Sequence, residues 1–146
     1  MIKFSPLILA LTFALMTGSL AHAMDDGDMR PEYVAMRQDV LAMDANMRQM
    51  ELDVEDLKVQ TRCRDALKSM DRNMSEMRMR MHKVGDYADL SGNMSMKSSL
   101  NRLNRALTDT LQGVGQCLRD QGKAIPMIQD GVKRMRTALD EIRAGI

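Results

Sequence analysis

Residues 36–84 read MRQDVLAMDANMRQMELDVEDLKVQTRCRDALKSMDRNMSEMRMRMHKV, and the spacing of their apolar side chains decides the fold. Met36, Val40, Met43, Met47, Met50, Val54 and Leu57 follow one another at alternating steps of four and three, the mark of a heptad seam on a helix. A second run, Cys63, Leu67, Met70, Met74, Met77, Met81 and Val84, keeps the same alternation. Between them the step from Leu57 to Cys63 is six residues, one short of a heptad. No Gly or Pro lies between Glu32 and Arg62, so the spacing predicts one continuous helix over 31–84 with a local slip of phase. Pro31 suits its first turn, where an N–H would lack a partner anyway.

Downstream, residues 85–97 carry Gly85, Asp86 and Ser91-Gly92-Asn93, a cluster of turn formers that predicts a loop. Ser98 is the expected N-cap of a second arm over 98–144. That arm places Leu100, Leu103, Leu107, Leu111, Val114 and Leu118, then Ile125, Ile128, Val132, Met135, Leu139 and Ile142 on its buried side. Gly122 and Pro126 interrupt it, and a kink is expected near 122–126 because Pro126 cannot donate to residue 122. Gly113-x-Gly115 loosens the arm near Cys117 or lets its partner approach closely.

The predicted fold class is therefore all-α: a long antiparallel helical hairpin, coiled-coil-like, kinked at one level. If the segment after Pro126 folds back, it becomes a three-helix bundle. Scarcity of aromatic and β-branched residues argues against strands. Pivoting near Ser91, facing positions have residue numbers totalling about 182, which brings Cys63 opposite Cys117. In an oxidising compartment two such thiols are expected to form a disulfide. The same register sets the Gly122–Pro126 interruption opposite residues 56–60, where the first arm slips.

Residues 1–23 read as a secretory signal: Lys3, an apolar stretch from Leu7 to Leu20, then the small-x-small Ala21-His22-Ala23. The stretch is too short and too broken to span a bilayer, so no membrane insertion is expected after cleavage. Residues 24–30 are expected to be disordered, 31–146 to form the hairpin domain, and the protein to be periplasmic or secreted. The formal charge of +1 drops to zero with the loss of Lys3. That leaves no electrostatic reason to expect nucleic acid.

The chain holds 17 methionines, and those at 36, 43, 47, 50, 70, 74, 77 and 81 fall on the seam. Flexible, helix-compatible Met is expected there as core filler, not as an accessible oxidant sink. Met79, His82, Met94 and Met96 lie at the hairpin tip and form a candidate soft-metal site. Thioether and imidazole donors match Cu(I) or Ag(I). No acid–base pair, nucleophile system, haem attachment or phosphate loop is legible, so a non-enzyme is expected. The functional expectation is an exported interaction protein that binds a protein partner or forms a homodimer. The alternative is a methionine-rich protein for Cu(I)/Ag(I) binding or oxidant buffering, and no other cofactor is expected.

Overall fold

A computed structural model describes residues 30–146, so the expected signal segment 1–23 and all but the last residue of the segment 24–30 lie outside the described residues. The domain 31–146 is all-α, with four helices: α1 (Pro31–Asp56), α2 (Cys63–Ser91), α3 (Met94–Cys117) and α4 (Gln121–Ala144). Each packs on two neighbours, α1 on α2 and α4, and α3 on α2 and α4, leaving no close diagonal pair. Tyr33 stacks near Tyr87 at 6.1 Å, and Arg80 meets Asp39 at 2.8 Å, so α1 and α2 run antiparallel. The pairs Arg134–Asp109 and Glu141–Arg102 (α4–α3), and Arg136–Glu51 and Arg143–Asp44 (α4–α1), show the same of the other helices. The result is an up-down-up-down four-helix bundle.

The arm expected to be one helix over 31–84 is thus two. Helix α1 stops at Asp56, its last turn tightened by Lys58 N–H to Glu55 carbonyl (3.2 Å) and Val59 N–H to Asp56 carbonyl (3.1 Å). Arg62 then reaches back to Asp56 at 3.1 Å. The physical reason lies in the six-residue step itself. Between Leu57 and Cys63 stand Lys58, Val59, Gln60, Thr61 and Arg62, none of them buried, so a straight helix would gain no packing there. Two β-branched residues among them weaken helix further. Reversal lets the seam of α1 bury against α2 and α4, and helix stability comes chiefly from such burial.

The expected loop 85–97 is also shorter than its turn residues suggested. Helix α2 continues through Gly85 to Ser91, because Ala88 is buried and Tyr87 packs on Tyr33. The reversal needs only Gly92 and Asn93. Gly92 sits at φ 65°, the left-handed conformation that ends a helix, and Asn93 N–H bonds the Ala88 carbonyl at 2.9 Å. Asn93, not Ser98, caps α3: its Oδ1 accepts from Met96 N–H at 2.9 Å.

In place of a kink near 122–126 the second arm reverses at Leu118–Asp120, and Asp120 caps α4 by accepting from Lys123 N–H. Pro126 lies inside α4, where it withholds a donor from the Gly122 carbonyl without ending the helix. Reversals on both arms, not on one, make four helices instead of the three-helix alternative.

The core holds Met36, Met43, Met47, Met50, Met70, Met74, Met77 and Met81 from α1 and α2. Facing them are Leu103, Leu107, Ile128, Met135, Leu139 and Ile142 from α3 and α4. Gly113 and Gly131 let α3 and α4 approach closely. A Cβ on Gly113 would lie 2.8 Å from Ile128 Cγ1, and one on Gly131 would run into Thr110 Oγ1. Gly115, by contrast, faces open space.

Candidate interaction surface

Helix α1 carries a second register that the core seam does not explain. Val34, Gln38, Leu41, Ala45, Arg48, Leu52 and Glu55 repeat at four and three residues, rotated away from the buried seam. Leu41 is 59% exposed and Leu52 63%, with Ala45 exposed between them and Val34 half-buried at the end. Single exposed leucines need no explanation, but two on one 4-3 stripe, with Ala45 between them, mark a sparse apolar face. Sequence reasoning missed this face. Its signal was present in the 4-3 repeat but hidden behind the stronger methionine seam on the same helix.

One flank of the stripe is electrostatically anchored. Asp44, buried between α1 and α4, accepts from Arg136 at 2.6 Å and pairs with Arg48 at 2.8 Å and Arg143 at 3.3 Å. Arg136 also grips Glu51 bidentately through its Nε–Nη2 edge, at 2.7 and 2.9 Å. Burial alone would raise the Asp44 carboxyl, but the Arg136 hydrogen bond and the charges of Arg143, Arg136 and Arg48 hold it below the usual carboxylate range. The Arg136 guanidinium is held charged by the Glu51 hydrogen bond first, against its own desolvation.

A folded-state pKa below the unfolded one gives stability that is present above the unfolded value, about 3.9 for Asp. It is lost as pH falls through the lower folded value. Asp44→Asn is therefore expected to cost about 1–3 kcal/mol at pH 7, less than for a fully buried pair because Arg136, Arg143 and Arg48 are partly exposed. Below about pH 4 the gap to the parent chain should shrink. Urea melts at pH 7 and pH 3 measure both, and a gap independent of pH would count against this account.

Near the 57–62 and 118–120 reversals lie further exposed apolar groups, Val59 at 43% and Leu118 at 77%. Cys63 and Cys117 sit just inside them, both buried and both free thiols, where a disulfide was expected. The two thiols lie side by side unbonded, and Gln121 Nε2 donates to Cys63 Sγ at 3.4 Å. Burial, then the Cys63 sulfur beside it, pushes the Cys117 thiol up.

The residues of the candidate soft-metal site are placed differently from one another. Met79, His82 and Met94 are exposed, whereas Met96, expected to join them at the tip site, is buried against the core. His82 lines a groove between α2 and α3 with Arg78, Asp86, Asp89, Lys97 and Asn101, a lining that includes none of Met79, Met94 and Met96. Lys97 pairs with Asp89 across it. Among the described residues no group of three or more His, Cys, Asp or Glu converges as metal ligands, and no helix is long and apolar enough to cross a membrane.

No family model, no curated protein and no solved structure matches the chain.

Proposed function

We propose that this chain is an exported, non-enzymatic interaction protein, a four-helix bundle that docks a helical protein partner on the outer stripe of α1. One observation carries the reading: Leu41 and Leu52 are well exposed on one 4-3 stripe of a helix whose core seam is already filled. A second apolar register on a bundle helix contributes nothing to the bundle itself, yet matches the way an amphipathic helix lies along another. The charged Arg48 and Glu55 punctuate the stripe and Glu51 flanks it, so the face mixes apolar with polar contacts. In the oxidising compartment that the signal-like segment implies, the paired thiols close to a disulfide clamp. Exchange with the disulfide of an oxidoreductase forms the Cys63–Cys117 bond, and the donor leaves as a dithiol carrying both protons and both electrons.

The test is photo-crosslinking in cells with a photoreactive residue at position 41 or 45, compared with positions 68 and 108 on other exposed helix faces. A discrete adduct at 41 and 45, lost in the Leu41→Glu/Leu52→Glu variant, is the expected result. The same variant should melt within about 0.5 kcal/mol of the parent, as surface substitutions do. Equal crosslinking from all four positions would refute the docking face.

A further inference from the structure

The register that a straight two-arm hairpin requires survives inside the folded bundle. Across α1 and α4, Asp44 meets Arg136 and Arg143, and Glu51 meets Arg136, so facing residue numbers total about 180 to 187. Across α2 and α3, Cys63 adjoins Cys117 and Asp89 pairs with Lys97, which gives about 180 to 186. The two layers, α1 with α4 and α2 with α3, are therefore successive stretches of one continuous pairing, folded over at the middle. Both folds fall at the same level, at residues 57–62 on one arm and 118–120 on the other. Neither reversal contains a Gly or a Pro, so nothing in them forbids a helix.

We infer that two copies of this chain exchange their α1–α4 layers. Straightening both reversals turns each chain into a rod with two long arms. In a two-fold pair of rods, the α1–α4 layer of one lies on the α2–α3 layer of the other. Every packing contact of α1 on α2 and of α4 on α3 is then remade between chains, so the exchange disturbs only the hinges. Val59 and Leu118, exposed in the closed bundle, meet at the centre of the exchanged pair, where their residue numbers place them almost opposite one another. Covering them and extending two helices favours the dimer, while the entropy of association favours the closed chain, so the balance depends on concentration. Because Cys63 and Cys117 belong to the same layer, they stay paired in either form. The inference deepens the interaction reading by naming a second copy as one partner. It uses the hinges and leaves the outer stripe of α1 uncovered.

The experiment takes the processed chain at rising concentration, and after refolding from denaturant at high concentration, through size-exclusion chromatography with light scattering and small-angle X-ray scattering. A rod spanning residues 31–91 as helix is about 90 Å long, against about 45 Å for the closed bundle. The expected result is a dimer with a largest dimension near that of the rod. In a Cys63→Ser/Cys117→Ser background, Asp39→Cys/Arg80→Cys reports the α1–α2 contact through a short bis-maleimide. The adduct should join two chains in the dimer and close within one chain in the monomer. Gln60→Gly/Thr61→Gly should weaken dimerisation by at least tenfold, and Gln60→Ala/Thr61→Ala should strengthen it, without changing the fold of the monomer.

A chain that remains monomeric under all these conditions overturns the exchange, as does a dimer whose 39–80 adduct stays within one chain. Loss of dimer on Leu41→Glu/Leu52→Glu also overturns it, since the outer stripe takes no part. A missing crosslink from position 41, with the exchanged dimer present, defeats only the docking face.

Discussion

Replacing Gly131 by leucine is expected to lower stability by about 3 kcal/mol or more, the upper range for overpacking a tight interior. Gly131 lies on α4 where it passes close to α3. A Cβ at that position would strike Thr110 Oγ1 and sit 3.2 Å from Thr110 Cβ and 3.4 Å from the Ala106 carbonyl oxygen. Thr110 has nowhere to retreat, being wholly buried with its hydroxyl donating to the Ala106 carbonyl at 2.8 Å. Rotating it away breaks that bond, and leaving it in place forces the helices apart. Alanine tests the contact more finely. On helix propensity alone Gly131→Ala would stabilise by about 1 kcal/mol, so a net loss isolates the clash. Thermal melts of the four chains in a Gly131→Ala, Thr110→Ala cycle should show the double variant more stable than the two single losses predict. Simple additivity would mean that α3 and α4 do not meet at Gly131.

Oxidation of the thiol pair should give the other large effect. A bond between Cys63 and Cys117 closes a loop of about 55 residues, for which the chain-entropy estimate is about 4 kcal/mol at most. It joins the start of α2 to the end of α3, the end of that helix pair opposite the Gly92–Asn93 turn. The oxidised chain should therefore be about 2 Da lighter by intact mass before reduction than after it, and should lose at least several degrees of melting temperature when reduced. Cys63→Ser and Cys117→Ser should each lower the midpoint to that of the reduced parent. An unchanged midpoint on reduction, or a disulfide formed between two chains, would remove the clamp from the account.

Both predictions show what could be read from the residues. The heptad positions over 36–84 and 100–142 named most of the buried core, since burial follows helical period whichever neighbour supplies the cover. The near-opposition of positions 63 and 117 followed from the same counting. The grouping of Met79, His82, Met94 and Met96 at the tip could not foresee that Met96 is buried while the other three are exposed, because that depends on α3 starting at Met94 and not at Ser98. The stripe of Leu41 and Leu52 stood in the sequence as a second repeat, and the stronger seam on the same helix concealed it.

What the sequence determined alone was the class and the pairing: helices throughout the domain, antiparallel arms, and a register near 182 that holds for α2 with α3 and for α1 with α4. Those features rest on local period and on the chain's own reversal at Gly92, both written into short stretches of residues. Only the tertiary structure decided that each arm doubles back, because a six-residue step without a buried apolar group is compatible with either a straight helix or a turn. The choice rests on which seam lies within reach to cover the other, a property of the whole bundle that no single stretch of the chain contains.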